Sequence, residues 1–248
     1  MSLKVDTFPA LKDNYGFILR DEATGRIAII DAPEPRAISE RLSALGLDRL
    51  DYILNTHWHP DHAGGNALLK KRYGAEIFGP REVTRIAPLD HVLAPGDVFR
   101  LGETALEVID LGGHTLGHIG YYDRAGGQAF VADTIFPLGC GRLFEGTPQQ
   151  MWGALQRITT LPDETILYSA HEYTLSNLKF AESLGSDAAL EARAKVIREK
   201  RERGEATVPS TVAEEKATNP FLVYPLRETD FAAQAAKFGE LRKAKDQF

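Results

Sequence analysis

Thr56-His57-Trp58-His59-Pro60-Asp61-His62 decides how this chain is read. Three imidazoles and a carboxylate lie within six residues, directly after the apolar run Tyr52-Ile53-Leu54, which reads as a buried strand. Backbone alternation puts His57 and His59 on one side of an extended segment. Asp61 and His62 then project from the turn that follows, and Gly64-Gly65 gives the backbone room to bend. Imidazole nitrogen and carboxylate oxygen are the ligands that suit zinc, iron or manganese.

Further along, ligand-type residues recur where apolar strands stop. His114 lies in Leu111-Gly112-Gly113-His114-Thr115-Leu116-Gly117-His118, after a strand ending at Asp110. Asp133 ends Phe130-Val131-Ala132, and His171 follows Leu167-Tyr168-Ser169-Ala170. This placement predicts that they converge at one edge of a sheet. Around them, Phe17-Ile18-Leu19 and Arg26 to Ile30 read as a hairpin, and Ile38, Leu42 and Leu45 keep helical spacing up to Gly46. Further strands are expected over 76–78, 98–101, 105–110, 119–122, 128–132 and 165–169, with helices between several of them, so the first two-thirds reads as stacked layers of sheet and helix. After about Tyr173 strand signals disappear. Leu190, Ala194 and Ile197 share a helical face, Thr211 and Glu214 form a possible capping box, and a last helix runs from about Thr229 to Phe248.

The totals set limits. A chain of 248 residues with 43% hydrophobic and 26% charged residues is an ordinary globular composition. Its net charge of −6 removes a general basic footprint for nucleic acid. Cys140 is the one cysteine, so no intramolecular disulfide can form, which fits a reducing cytosol. The start Met1-Ser2-Leu3-Lys4-Val5-Asp6 lacks the apolar run of a signal peptide, and no stretch is apolar enough to span a membrane. A cytoplasmic protein is expected, with no nucleic-acid or membrane partner.

The His-x-His-x-Asp-His signature, followed in order by His114, Asp133 and His171, resembles the metallo-β-lactamase superfamily. The match is closer to glyoxalase II, the hydroxyacylglutathione hydrolases. Asp13-Asn14-Tyr15, Ala132-Asp133-Thr134-Ile135-Phe136, Gly139-Cys140-Gly141-Arg142, His171-Glu172-Tyr173-Thr174 and Lys245-Asp246-Gln247-Phe248 all resemble that family, across essentially the whole chain. The resemblance implies an α/β (α+β) fold: a four-layer αβ/βα sandwich over 1–172, with a C-terminal all-helical domain over 173–248 that binds glutathione. It implies two divalent ions, zinc first with iron or manganese admitted. One would take His57, His59 and His114, the other Asp61, His62 and His171, with Asp133 and a shared hydroxide between them. Two residues depart from the family pattern: Val223 stands where arginine is frequent, and Ala170 where glycine is common.

The activity so implied is hydrolysis of S-D-lactoylglutathione and related S-2-hydroxyacylglutathiones by that hydroxide, with Asp61 and Asp133 in the catalytic centre. A thiolate leaves without a strong general acid, and the sequence offers none. By family position, Arg242 and Lys245 would meet the glycine carboxylate, Arg142 would add a cation, and Tyr173 and Asn177 would hold the peptide. Arg242→Ala is then expected to raise KM far more than it lowers kcat. Cys140, flanked by glycines, reads as part of a turn. His118 and His91 read as supporting or surface residues, Trp58 as packing, and Asp31 as a turn residue or the group that orients a ligand histidine. A monomer acting on a small glutathione thioester is expected. The alternatives are a glutathione persulfide dioxygenase with a single iron and a non-catalytic metal-binding protein.

Overall fold

The structure, a computed structural model, describes residues 3–248; of the start in which no leader is read, Met1 and Ser2 lie outside that range. The chain divides into two compact units, Met1–Asp110 with Gly117–Phe130, and Leu111–Leu116 with Val131–Phe248.

The first unit opens with strands β1 (Leu3–Ala10), β2 (Asn14–Asp21) and β3 (Ile27–Ile30), paired antiparallel in that order. Helix α1 (Pro35–Ala44) crosses to β4 (Tyr52–Leu54). A short α2 (Pro60–Ala63) and α3 (Asn66–Tyr73) lead to β5 (Glu76–Gly79), and β6 (His91–Val92) closes the sheet. From β3 to β6 the pairing is parallel. All of β2 except Arg20 is buried, because both faces of an interior strand are covered, so it reads as a continuous apolar run rather than an alternation. Strand β1 carries no such signal. It is an edge strand with three polar or charged residues, Lys4, Asp6 and Thr7, and Pro9, and it pairs only with β2.

Ile38 and Leu42 of α1 and Leu69 of α3 pack on Ile18, Ile29, Ile53 and Ile77, which point outward from one face of this sheet. Gly74, in the left-handed conformation at φ 72, ends α3. The opposite face meets a second, antiparallel set: β7 (Val98–Leu101), β8 (Thr104–Asp110), β9 (Ile119–Asp123) and β10 (Gln128–Ala132), of which residues through Phe130 belong to this unit. Phe99 sits edge-on to Tyr52 and Phe78, with centroids at 5.3 and 4.9 Å, and Phe17 lies 6.1 Å from Phe130. The Tyr121 hydroxyl donates to the Asn55 carbonyl at 2.7 Å, which fastens the two sheets beside the histidine loop.

In the second unit, β11 (Ile135–Phe136) and β12 (Gly139–Cys140) form a tight hairpin. Then come α4 (Pro148–Thr159), β13 (Ile166–Ser169), α5 (Thr174–Ser183), α6 (Ala188–Glu202), β14 (Ser210–Thr211), α7 (Val212–Thr218), α8 (Pro220–Val223) and α9 (Phe231–Gln247). Capping boxes start α4 at Thr147 and Gln150, and α7 at Thr211 and Glu214. Leu190, Ala194 and Ile197 bury one face of α6 against Leu178 and Ala181 of α5 and against Leu138. Trp152 of α4 is fully buried and donates its indole N–H to Gln234 of α9 at 3.1 Å. The region after Tyr173 is helical as expected, apart from β14. That two-residue strand pairs with Ile166 and Leu167, so its partner rather than its own composition creates it. The texture of the sequence changes after about Tyr173, whereas the second compact unit also takes in Leu111–Leu116 and 131–172.

Candidate metal centre

In the first unit the histidine loop is held from below by Asp31. This residue follows β3 in the left-handed region at φ 58, a conformation uncommon outside glycine, asparagine and aspartate. Its buried carboxylate accepts from the Thr56 N–H, the Thr56 hydroxyl and His62 Nδ1, each at 2.8 Å. A carboxylate only accepts, so His62 carries its proton on Nδ1 and keeps the lone pair on Nε2. The same logic continues one residue on. The Thr56 hydroxyl proton goes to Asp31, so Oγ1 accepts from His57 Nδ1 at 3.0 Å, and the lone pair of His57 lies on Nε2. That Nε2 lies 3.0 Å from His59 Nδ1. His118, fully buried, stacks on the His57 ring at 4.7 Å. Asp61 stands in the first turn of α2 with Oδ2 3.4 Å from His62 Nε2, and Asn14 Nδ2 donates to that oxygen at 3.0 Å. Gly65 is required because a Cβ there would lie 2.5 Å from the Ala32 carbonyl oxygen.

Donor atoms of Asp31, His57 and His62 are close enough to hold a single ion, yet both Asp31 oxygens already accept the three bonds above. That trio works as a tether. Asp31 is thus the residue that orients a histidine, and His118 supports His57. His91 is exposed, paired with Glu76 and stacked on Phe78.

In the second unit His114, Asp133 and His171 come together. The Arg142 carbonyl lies 2.9 Å from His114 Nδ1 and can only accept, which leaves the lone pair on Nε2, 3.3 Å from Asp133 Oδ2. Asp133 Oδ1 lies 3.3 Å from His171 Nε2, so each carboxylate oxygen faces a different imidazole. Ala132, just before Asp133, is in the left-handed region at φ 40, and its carbonyl accepts from the Ala170 N–H at 3.2 Å, which ties the two strand ends together. The His171 ring stacks flat on Tyr173 at 4.7 Å.

These spacings fit a metal. Two ligands about 2.0–2.1 Å from a tetrahedral ion stand about 3.3 Å apart. The His57–His59 nitrogens at 3.0 Å and the His114–Asp133 and His171–Asp133 pairs at 3.3 Å match such coordination edges. Asp133 turns one oxygen towards each histidine.

The residues expected to bind substrate lie in the second unit. Arg242 is buried; it donates to the Cys140 carbonyl at 2.9 Å and to Asp246 Oδ1 at 2.9 Å. Arg142 Nε approaches that same Asp246 oxygen to 3.8 Å. Lys245 donates to the Ser176 carbonyl and hydroxyl, and its ammonium is pushed below the ordinary lysine value by partial burial and then by Arg242 and Arg142. Two arginines therefore face one half-exposed carboxylate, and Lys245 lies near enough to both to feel their charge. Tyr173 is exposed beside His171, whereas Asn177 is buried and donates to the Pro137 carbonyl at 3.1 Å. Burial pushes the Cys140 thiol up to about 11, against a smaller opposing pull from Arg242, so it stays a neutral thiol near neutral pH. Sequence reading gave no role to Asn14, Thr56 or the Arg142 carbonyl. Asn14 and Thr56 stand inside motifs quoted above, while a backbone carbonyl leaves no mark in a sequence.

A profile described as the metallo-beta-lactamase superfamily matches residues 19–171, and one described as the hydroxyacylglutathione hydrolase C-terminus matches residues 172–248. The hydroxyacylglutathione hydrolase of Erythrobacter litoralis is 44% identical over 256 residues, covering 99% of this chain and 100% of that one. That of Ruegeria pomeroyi is 43% identical over 256 residues, with both chains covered completely. The chain belongs to the hydroxyacylglutathione hydrolase family. Its α/β fold with a C-terminal helical region is the metallo-beta-lactamase fold. The crystal structure of ETHE1 from Myxococcus xanthus shares that fold at a TM-score of 0.71 and 24% identity, covering 98% of this chain and 90% of that one. Membership in this hydrolase family favours the hydrolase expectation over the dioxygenase and the non-catalytic readings. The His/Asp residues of the superfamily signature are those of a divalent-metal site.

Proposed function

We propose that this protein hydrolyses the thioester of S-D-lactoylglutathione and related S-2-hydroxyacylglutathiones, releasing glutathione and the 2-hydroxy acid. The observation that carries the reading is Asp133, whose two oxygens each lie 3.3 Å from a different histidine Nε2. In this proposal two divalent ions would share Asp133, zinc first and iron or manganese as substitutes. His57, His59 and His114 would hold one; Asp61, His62 and His171 would hold the other. Bound there, the ions supply a Lewis acid for the thioester carbonyl and lower the pKa of water towards about 7. The chain's own residues do the positioning. Asp31, Thr56 and the Arg142 carbonyl fix the ring protons on Nδ1 of His62, His57 and His114, and Asn14 holds Asp61. The thiolate leaves without a protein acid, since a thiol of pKa about 8.5 is a competent leaving group.

Residues 173–248 serve as the glutathione-binding part and 1–172 as the metal-binding part. The Arg242, Arg142 and Lys245 cluster is suited to a substrate carboxylate, and Asp246 already stands where such an anion would go. Tyr173, beside His171, and Asn177 flank the peptide portion. One chain carries every group, so a cytoplasmic monomer suffices. The test is a thioesterase assay on S-D-lactoylglutathione with metal-analysed protein, with and without a chelator. Turnover that disappears on chelation and returns with added ions supports the proposal; metal-replete protein that leaves the thioester intact refutes it.

A further inference from the structure

The β11–β12 hairpin is gripped by the helical part of its own unit through four of its carbonyls and one N–H. Asn219 Nδ2 donates to the Phe136 carbonyl at 3.2 Å and to the Gly139 carbonyl at 2.9 Å. Glu215 Oε2 accepts from the Leu138 N–H at 3.0 Å and from Asn219 Nδ2 at 2.9 Å, and its other oxygen pairs with Arg193. Asn177 and Arg242 take the Pro137 and Cys140 carbonyls. Asn219 and Glu215 are completely buried, and Leu138 is held in the left-handed region at φ 61. The glycines fit this tight seat: a Cβ on Gly139 would lie 2.3 Å from Asn177 Nδ2, and one on Gly141 would lie 1.9 Å from the Asp133 carbonyl oxygen.

The seat matters because of what the hairpin joins. Asp133 lies two residues before β11. Two residues after β12 comes Arg142, whose carbonyl fixes His114 Nδ1 at 2.9 Å. A shift of the hairpin moves that carbonyl, and with it the ring that carries a ligand nitrogen. Buried side chains that hydrogen-bond to a backbone on this scale hold it in one conformation.

We propose that Asn219, supported by Glu215, is a positioning residue for the metal centre: it fixes the hairpin so that the Arg142 carbonyl holds His114 in the metal-binding orientation. This rests on the reading that His114 is a ligand. Asn219→Asp and Asn219→Ser separate the roles of the side chain. Its Oδ1 also caps α8 by accepting from the Phe221 N–H at 3.0 Å, and aspartate or serine can keep that cap. Neither keeps the amide donor. Serine moreover adds no buried charge beside Glu215, which makes it the deciding variant.

Metal-free unmodified protein and each variant are titrated with Co²⁺ and followed by visible absorption, with thermal melts of the metal-free forms alongside. Support is a folded Asn219→Ser chain that binds Co²⁺ about tenfold more weakly, the lower end of the usual effect of groups that orient ligands. Its kcat should fall to a similar extent while KM on the thioester stays within about twofold. Unchanged Co²⁺ affinity in a folded variant, or a rise in KM alone, overturns the proposal. So does an Asn219→Ser chain that fails to fold, because the contact is then a folding element. Unmodified protein that binds no Co²⁺ overturns the metal-site reading itself, which is a distinct outcome.

Discussion

Asp31→Asn is the sharpest probe of how the histidine loop is preset. Asparagine also tolerates the left-handed backbone at φ 58, so the main chain keeps its course. Asp31 Oδ1 accepts from the Thr56 N–H, while Oδ2 accepts from the Thr56 hydroxyl and from His62 Nδ1. An amide oxygen can replace Oδ1, which leaves an NH₂ facing the other two groups. Thr56 can rotate its hydroxyl and accept. His62 can accept on Nδ1 only by moving its proton to Nε2, the atom assigned to a metal. A buried hydrogen bond to a charged group contributes about 1.5–3 kcal/mol, so metal-free protein should lose about 2–3 kcal/mol in urea unfolding and remain folded. Loss of a ligand-orienting partner weakens metal binding about 10–100-fold, or about 1.4–2.8 kcal/mol. The assay is Co²⁺ titration of metal-free parent and variant, with urea melts of the same samples. A variant that loses stability as expected but binds both ions as tightly as the parent would refute the tautomer argument.

Lys245→Ala should raise KM about tenfold and leave kcat nearly unchanged, the signature of lost ground-state binding, because its contacts are with Ser176 and the Phe180 and Phe248 rings, none of them a proposed metal ligand. In the unmodified enzyme KM should climb at alkaline pH starting below the ordinary lysine range, since burial and the neighbouring arginines lower the pKa of that ammonium. Cys140→Ala should keep thioesterase activity within about twofold, and thiol-alkylating reagents should act slowly near neutral pH, because the thiol is pushed up to about 11. Asp21 titrates at about 2: burial pushes it up, but hydrogen bonds from the Thr24 and Thr104 hydroxyls and from the Thr24 and Glu103 backbone more than reverse that. With a depressed folded value, its stabilisation is present above the unfolded pKa of about 3.9 and lost as pH falls towards about 2, so the gap in urea midpoint between parent and Asp21→Asn should narrow over that interval.

Much of the fold was legible because interior strands leave a strong imprint. β2, β4 and β10 are buried on both faces or close to it, and their apolar runs are visible without any partner. The edge strand β1 and the two-residue β14 were not legible, since each is defined by the strand it pairs with. Candidate ligands stood out because ionisable side chains at strand ends are costly to bury unless they are paired or bind a metal. Their orienting groups were harder to see. Asp31 showed two equal readings until the bond to His62 separated them, and the Arg142 carbonyl has no side chain to notice. The tail residues differ again: family position draws Arg242 and Asn177 towards substrate, while the structure also ties both to carbonyls of one hairpin.

Whether Asp133 joins two ions can be read from anomalous diffraction by crystals of zinc-loaded protein. The expected map has two peaks: one about 2.0–2.3 Å from ligand atoms of His57, His59 and His114, the other at that distance from Asp61, His62 and His171, with one Asp133 oxygen on each. A map with no peak at these residues, or with zinc held by other side chains, would contradict this arrangement.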